Sequence, residues 1–372
     1  MSRKCYLFRD EHIPAKPAFP VVDAHNHLWF LKPKQTVDDL IRIMDEVGIV
    51  CYCDLTANAK ISFGGDGYQV GSGSIEDFFT KVAGRYPGRI YGFTMSTLCR
   101  PRNQPLFDDA ERFVDDTIAL MRKHVSMGAR GFKVLKELGL HYRDARGRLV
   151  HVDDPRLGPI WDEPGKLGVP VLIHQSDPYG FFQPNTPENE HYDSLAKYPD
   201  WCFGDPKFPS KEELLERRDR MVQSHPETTF ILPHGANFVE NLGYVSKLLE
   251  DNPNVYIDFS ARFDELGRQP YTARDFFLRH QDRILFGSDM PASVEMYRFH
   301  YRFLETFDEY FIPPDYDGTF GRHRWKVFGI GLPGDVLAKV YHKNALKVIP
   351  GLKDAFNSVV GSGGPTSTLS SA

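Results

Sequence analysis

The sequence predicts an α/β protein of one domain, folded as a (β/α)8 TIM barrel. Eight short apolar segments of strand length recur through the 372 residues. Stretches of helical character lie between many of them, and no linker or change of composition divides the chain. Eight is the number of parallel strands that closes such a barrel. The same alternation also fits an open doubly wound sheet, and the pattern alone leaves that alternative open.

The predicted strands are rich in Val, Ile, Phe and Tyr, and most are bounded by Gly, Pro, Asp or Asn. In chain order they span 21–27, 49–55, 90–96, 129–135, 169–174, 229–234, 255–260 and 283–288. Predicted helices lie between them at 36–47, 107–127, 211–224, 239–252 and 271–281.

Two segments between these elements are predicted to be loops. Residues 64–74 are rich in glycine, which is typical of a loop. Residues 175–210 are too long for an ordinary connection and are crowded with aromatic side chains. Loops of that kind commonly form lids or pocket walls, so we expect the second one beside a binding site.

We divide the chain into an N-terminal extension at 1–19, the barrel at 20–350 and a C-terminal tail at 351–372. The tail ends in GSGGPTSTLSSA, a low-complexity sequence with too few apolar residues to form a core. We therefore expect the tail to be flexible.

Composition limits the classes of partner. Hydrophobic residues make up 41% of the chain, charged residues 26%, and the net charge is −5. A small negative charge without a long basic run argues against nucleic acid and anionic membranes as partners. Five cysteines are too sparse for a disulfide framework, and no signal peptide is visible. These features predict a cytoplasmic protein and leave homo-oligomer formation open.

The first predicted strand ends in Asp23-Ala24-His25-Asn26-His27. Side chains alternate along a strand, so His25 and His27 are expected to point the same way. Imidazole nitrogen is a favoured ligand for Zn²⁺ and other transition metals. Alone, this triplet is a weak signal, and two unrelated polar residues near a strand end explain it more readily.

Further polar residues stand at the ends of other predicted strands. His174 ends the fifth, His234 the sixth, and Asp289 follows the eighth. In a barrel these ends meet at the face where active sites are found. Packing does not explain the coincidence, because each of these buried polar groups would need a partner.

This pattern resembles the amidohydrolase superfamily, in particular the branch with aminocarboxymuconate-semialdehyde decarboxylase, related decarboxylases and several lactonases. The resemblance rests on HxH in strand one, His in strands five and six, and Asp in strand eight, and it covers roughly residues 20–350. It implies a single divalent metal, with Zn²⁺ favoured and Mn²⁺ or another ion left open. The implied ligands are His25, His27, His174 and Asp289, with His234 beside the metal.

The resemblance also implies two catalytic residues. A metal held by three neutral imidazoles and one carboxylate keeps a net positive charge, which lowers the pKa of water at the site. Asp289 could accept the proton of that water. His234 could hold the nucleophile or stabilise negative charge on the substrate.

Four residues near the strand ends are predicted to bind substrate. Lys133 could bind a carboxylate, pair with a nearby acid or, when carboxylated, bridge two metals. Arg262 could grip a carboxylate or phosphate, or form a surface ion pair. Asn237 and Glu137 could line the pocket, or instead cap a helix and occupy its first turn. By strand alternation Lys136 should face away from the barrel.

The leading hypothesis is a metal-dependent hydrolase that opens a lactone, amide or related carbonyl compound. The alternative is a non-oxidative decarboxylase or hydratase, a lyase acting on an unsaturated or aromatic carboxylic acid at the same site. A binding or scaffold protein is disfavoured, because it has no use for ligands with an open coordination position. In either enzymatic case we expect a small carboxylated or sugar-like substrate.

Overall fold

A computed structural model describes residues 6–64, 67–314 and 325–361 of the chain. Its strands, in chain order, are β1 (Val21–Asn26), β2 (Ile49–Asp54), β3 (Ala59–Gly64), β4 (Gly67–Ser72), β5 (Ile90–Gly92), β6 (Phe132–Val134), β7 (Val171–Ile173), β8 (Phe230–Leu232), β9 (Val255–Asp258) and β10 (Ile284–Leu285).

Eight of these strands are parallel and form the barrel. They are hydrogen-bonded in the orders β1-β2-β5 and β10-β9-β8-β7-β6. Backbone pairing joins the two groups at both seams. Thr94, just after β5, pairs in parallel with Phe132 of β6, and Ala24 N in β1 donates to Phe286 O, just after β10, at 2.9 Å. The predicted (β/α)8 barrel is confirmed, with strands shorter than the apolar segments that predicted them.

The strands β3 and β4 form an antiparallel hairpin outside the barrel. The prediction of a loop at 64–74 was therefore wrong for the part covered by β4. Ile61 pairs with Val70 across the hairpin, and Val70 is buried. Such short strands, interrupted by glycine, lack the long alternating pattern by which strands are recognised in a sequence.

The α-helices are Val37–Val47, Ile75–Asp77, Ala110–Met127, Gly158–Leu167, Tyr192–Lys197, Lys211–Ser224, Leu242–Asp251, Phe263–Gly267, Pro270–Arg279, Val294–Glu305, Gly334–Ala338, Asn344–Val348 and Leu352–Gly361. Two further four-residue helical segments, Glu137–Leu140 and Pro233–Ala236, contain non-helical backbone angles. Segments Phe78–Val82 and Lys339–Lys343 are π-helical. Short 3-10 turns lie at Leu28–Phe30, Ala83–Arg85, Ser96–Leu98, Pro155–Leu157, Tyr179–Phe182, Pro199–Trp201 and Val239–Asn241. Within the described ranges, no helix has both the length and the apolar character needed to cross a membrane.

The first helix, Val37–Val47, shows how sequence sets these elements. The Thr36 side chain accepts from the backbone N of Asp39, and the Asp39 carboxylate accepts from the backbone N of Thr36. This reciprocal pair satisfies two amide groups that the first helical turn leaves without partners. The buried positions then follow at helical spacing, at Leu40, Met44 and Val47.

The core has an inner and an outer layer. Side chains on the inner strand faces, such as Val22, Leu172 and Ile231, form a cluster in the barrel. Side chains on the opposite strand faces pack against the helices. The terminal helix Leu352–Gly361 belongs to the inner cluster through Leu352 and Phe356, so this part of the expected flexible tail is packed helix. Residues 362–372 lie outside the described part.

Candidate metal centre and active site

A pocket opens where the barrel strands end, and every predicted site residue except Asn237 lines it. Side chains in or just after β1, β6, β7, β8, β9 and β10 meet there, as do residues from the connecting loops. Active sites of TIM barrels lie on this face. The pocket combines charged groups near the strand ends with aromatic walls above them.

His25, His27 and Asp289 form the group that fits a metal. One ligand atom from each lies within 4.8 Å of the others. The Asp289 Oδ1 atom is 3.7 Å from His25 Nε2 and 3.4 Å from His27 Nε2. Burial, followed by the charge of Lys133, holds the pKa of His27 well below its ordinary value, which keeps the imidazole neutral as a ligand must be. His25 Nε2 is buried and has no hydrogen-bond partner among the described residues, which suits a bound cation.

A β-bulge in β1 aims His25 at this point. Asp23 pairs with Tyr52 and Asn26 with Asp54, so β1 advances three residues while β2 advances two. Ala24 faces the barrel interior, and strict alternation would turn the next residue, His25, away from it. The extra residue breaks that alternation, and bulges commonly redirect a side chain in this way.

His174 lies in the same pocket but outside the group of three ligand atoms. Its Nε2 is 3.0 Å from the carbonyl oxygen of Ser176 and 3.3 Å from Asp177 Oδ1. Burial lowers the pKa of His174 to about 4, despite the neighbouring carboxylate. Since both neighbours of Nε2 are hydrogen-bond acceptors, Nε2 carries the proton and Nδ1 is the nitrogen left to bind a metal. The role of His174 as a ligand remains a prediction.

His234 stands next to His25 and His174 in a left-handed turn. The turn runs from His234 to Asn237, and all four of its residues have φ between 53° and 60°. The Nδ1 atom of His234 is 2.8 Å from Ser260 O, and its Nε2 atom is 3.6 Å from Asp289 Oδ2. Because a carbonyl only accepts, Nδ1 carries the proton and Nε2 has a free lone pair. Burial, and then the charge of Arg262, hold the pKa of His234 well below its ordinary value.

Two cations on the helix Lys211–Ser224 hold this strained turn. The Lys211 Nζ atom donates to the carbonyl oxygens of Asp177 and Asn237, the first at 2.5 Å. Arg218 Nη1 donates to Ala236 O at 2.6 Å. Left-handed backbone costs about 1–2 kcal/mol for each non-glycine residue. The buried cations offset part of that cost by satisfying carbonyl groups that the turn leaves inside the protein.

Lys133 and Arg262 are buried cations at the pocket, 1% and 3% exposed. Neither forms an ion pair with a carboxylate of the described residues, whereas Arg262 Nη1 donates to Ala261 O at 2.7 Å. The surface ion pair considered for Arg262 was therefore wrong. Burial lowers the pKa of Lys133 to about 8, and Asp289 and Asp258 oppose that shift. An unpaired buried cation is costly, so a pocket with two of them is suited to an anion.

The other predicted binding residues have different surroundings. Glu137 lines the pocket and accepts from Arg102 Nη2 at 2.9 Å. Asn237 does not line the pocket, and the helix Leu242–Asp251 is capped by Asn241 instead. The expectation that Lys136 faces away was wrong, because it lines the pocket and pairs with Asp177. Strand β6 already ends at Val134, so strand alternation does not extend to residue 136.

The aromatic walls were predicted in part. Phe181 and Trp201 come from the loop at 175–210, as expected, and stack with ring centroids 6.0 Å apart. Trp29, Phe30 and Tyr68 complete the walls and were not predicted. Tyr68 belongs to the β3-β4 hairpin, whose fold the sequence did not reveal. The run of three hydrophobic residues after the HxH triplet, Leu28-Trp29-Phe30, was the available signal for Trp29 and Phe30.

Arg102 joins separate segments at the pocket rim and was also missed. It binds Glu137 after β6, and its Nη1 donates to Asp200 Oδ1 in the loop at 175–210, at 2.6 Å. The backbone N of Tyr68 donates to Asp200 Oδ2 at 3.2 Å. The hairpin, the long loop and the end of β6 are thereby connected through one guanidinium group.

Comparison with known proteins adds a family match. The sequence profile of a family described as amidohydrolase matches residues 22–351. No curated protein matches the chain. Similar solved structures include an uncharacterised TIM-barrel protein from Bordetella bronchiseptica, with 17% identity, a TM-score of 0.53, and coverage of 91% of this chain and 100% of that one.

Two further similar structures are decarboxylases. A 2,6-dihydroxybenzoate decarboxylase from Rhizobium has 17% identity and a TM-score of 0.52, with 88% of this chain and 98% of that one covered. A dihydroxybenzoic acid decarboxylase from Polaromonas sp. JS666, solved with manganese and 2-nitroresorcinol, has 17% identity and a TM-score of 0.51, with 91% and 97% covered. At these identities the similarity concerns the fold.

Proposed function

This chain belongs to the amidohydrolase family, and on that premise we propose that it hydrolyses a small carboxylated molecule with the help of one divalent metal ion. The observation that carries the proposal is the meeting of a metal-ligand group with two buried cations, neither in an ion pair with another described residue, in one pocket. His25, His27 and Asp289 would hold the metal, and His174 would join them through Nδ1. When bound, a divalent metal polarises a carbonyl group and lowers the pKa of water.

Lys133 and Arg262 would bind the carboxylate of the substrate. Both line the pocket with the ligand group, and Arg262 can offer a planar pair of donors. Trp29, Tyr68 and Trp201 provide flat apolar surfaces that suit an unsaturated or cyclic body. The substrate would then lie between the cations and the aromatic walls, with its reacting carbon near Asp289.

Asp289 and His234 would move the protons of hydrolysis. The carboxylate of Asp289 lies 3.6 Å from His234 Nε2, so both groups reach the same volume. Asp289 would accept a proton from the attacking water and return it to the leaving group. The free lone pair on His234 Nε2 would orient that water by accepting its other proton.

Decarboxylation is the second candidate, and it is favoured by the two buried cations, for which the described part of the chain offers no ion-pair partner. Lys133 and Arg262 can hold a carboxylate inside the pocket, where Asp289 or His234 could protonate the carbon that loses CO2. The two similar structures named as dihydroxybenzoate decarboxylases give this candidate additional support at the level of fold.

One experiment tests the proposal and separates the two reactions. Metal-loaded protein is incubated with panels of lactones, amides and aromatic acids, and the masses of the products are measured by mass spectrometry. Hydrolysis adds the mass of water, whereas decarboxylation removes the mass of CO2. Turnover should fall about 100- to 10,000-fold in Asp289→Asn, because an amide cannot accept the proton. Asp205→Asn, at an exposed loop carboxylate, should retain turnover. Full turnover by Asp289→Asn with metal bound would reject Asp289 as the base.

A further inference from the structure

Asp258, at the end of β9, hydrogen-bonds to His25 of the ligand group and to His234 next to that group. Its carboxylate is buried, with 1% exposed. The Oδ2 atom is 2.8 Å from His25 Nδ1. The Oδ1 atom accepts from the backbone N of His234 and of Ser260, both at 3.0 Å, and from Ser260 Oγ at 2.6 Å. No other carboxylate of the described residues hydrogen-bonds to both His25 and His234.

These contacts determine which nitrogen of His25 carries a proton. Two backbone amides and the Ser260 hydroxyl donate to Asp258 Oδ1, and hydrogen bonds of this kind favour the charged form, so the group is a carboxylate. A carboxylate only accepts, so His25 Nδ1 must donate to it. The lone pair is therefore on Nε2, the buried atom that has no partner among the described residues and lies 3.7 Å from Asp289 Oδ1.

The same carboxylate fixes the start of the left-handed turn. The amide of His234 donates to Asp258 Oδ1. The Nδ1 atom of His234 faces the carbonyl oxygen of Ser260, which is two residues after Asp258. His234 has φ 57°, a conformation that costs energy for a residue with a Cβ atom. A charge-assisted hydrogen bond to its amide holds it there, with Nε2 directed at Asp289.

We propose that Asp258 is a positioning residue of the metal centre, which sets the tautomer of His25 and the direction of His234 so that both Nε2 atoms face the metal position. This inference rests on the proposed metal-dependent function. Asp258 would act through the two histidines and touch neither metal nor substrate. Replacing Asp258 should therefore weaken metal binding directly, and any loss of turnover should follow from the weaker metal binding.

The support of His27 provides a contrast within the same site. Its Nδ1 atom is 3.1 Å from Thr56 Oγ1, and that hydroxyl is in turn 3.2 Å from Asp54 Oδ1. A hydroxyl can donate or accept, so it permits either tautomer of His27. Of these two histidines, His25 alone has at its Nδ1 a carboxylate that requires this nitrogen to be protonated. Metal affinity should therefore depend more strongly on Asp258 than on Thr56.

The decisive variant is Asp258→Asn, because it can replace the carboxylate oxygen that contacts His25 Nδ1 with an amide nitrogen. The amide oxygen can keep the place of Oδ1 and its bonds to the backbone of His234 and Ser260. The amide nitrogen then faces His25 Nδ1 and donates to it, which moves the imidazole proton to Nε2. The nitrogen that should bind the metal is blocked, while the shape of the site is retained.

The measurement is affinity for Zn²⁺, determined by competition with a chromogenic chelator and independent of any substrate. We expect Asp258→Asn to bind Zn²⁺ about 10- to 100-fold more weakly, in the range found for residues that orient metal ligands. Glu163→Gln is the matched control, because Glu163 is a buried carboxylate paired with Arg122 away from the pocket. It should bind Zn²⁺ like the unsubstituted protein. Equal affinity in Asp258→Asn, or an equal loss in Glu163→Gln, would overturn the inference.

A second measurement does not depend on a variant that folds. Nitrogen chemical shifts of the metal-free, unsubstituted protein report which nitrogen of each neutral imidazole is protonated. We expect His25 to carry its proton on Nδ1, and a proton on Nε2 would overturn the inference. Failure of the proposed function gives a different result, because a protein that binds Zn²⁺ normally but converts no substrate leaves the role of Asp258 intact.

Discussion

Lys133 is a single residue whose charge should govern substrate capture. It is buried at the pocket, and burial lowers its pKa to about 8. Protonated Lys133 binds a carboxylate and neutral Lys133 does not, so kcat/KM should fall as pH rises through about 8. Positive charge from a bound metal would move this fall to lower pH. The measurement is a pH profile of kcat/KM with a carboxylated substrate.

The variant Lys133→Arg identifies the group that titrates. Arginine stays charged throughout this range, so the alkaline fall assigned to Lys133 should disappear even if the overall rate is lower. An unchanged alkaline fall in Lys133→Arg would assign the titration to another group and contradict the prediction.

At the scale of residues, sequence patterns identified the groups but not their surroundings. His25, His27 and Asp289 were predicted because barrel strands end at one face, and the structure brings them together. Asp258 lies within the predicted strand at 255–260, but its bond to His25 joins residues 233 positions apart and has no local signal. Lys136 was misplaced because the length of β6 cannot be read from its apolar run.

The left-handed turn from His234 to Asn237 gives a prediction at the scale of an element. Gly235 has φ 60°, and a Cβ atom there would lie 2.1 Å from Val239 Cγ1. Gly147 also has positive φ, at 77°, but a Cβ atom there meets nothing within 4 Å. Gly147→Ala should therefore lower the free energy of unfolding by about 1–2 kcal/mol from backbone strain alone. Gly235→Ala should lower it by about a further 1–3 kcal/mol from overpacking.

Urea denaturation of the two metal-free variants checks this comparison. Equal losses of unfolding free energy would mean that the turn relaxes around the added methyl group. In that case the turn would be a poor anchor for His234, and its position next to Asp289 would need another explanation.

Elements were predicted where their pattern was long. The eight barrel strands and five of the longer helices carry a clear apolar pattern, so their existence and order were predictable. The helices Gly158–Leu167 and Val294–Glu305 were not predicted. The β3-β4 hairpin and the helix Leu352–Gly361 were not predicted, the first because of its glycines and the second because it adjoins a low-complexity end. Both are short elements whose stability depends on packing against the rest of the barrel.

For the whole molecule, metal binding should stabilise the fold without being required for it. The proposed ligands are at the barrel mouth, while the core consists of packed apolar layers. A ligand that binds only the folded state adds about 2.7 kcal/mol when its concentration is 100 times its Kd. Chelation should therefore lower Tm but leave a cooperative transition, and Zn²⁺ should restore Tm.

The variant His25→Ala is the control for this effect. It should unfold at a temperature that no longer responds to Zn²⁺ or chelator, and thermal scans of both proteins give the comparison. Unfolding of the unsubstituted protein by chelator at room temperature would instead indicate a structural metal.

The contact between the first and last barrel strands also determines when the site can form during synthesis of the chain. The amides of Ser288 and Asp289 both donate to the carbonyl oxygen of His25, so the two ends of the barrel sequence meet at the ligands themselves. Chains are synthesised from the N-terminus, and domains fold as their residues become available. When only the first seven barrel strands have been synthesised, His25 and His27 are present, but β10 and the Asp289 that follows it are not. If the proposed ligands hold a metal, we therefore expect the complete set to bind it only after the ring of strands has closed.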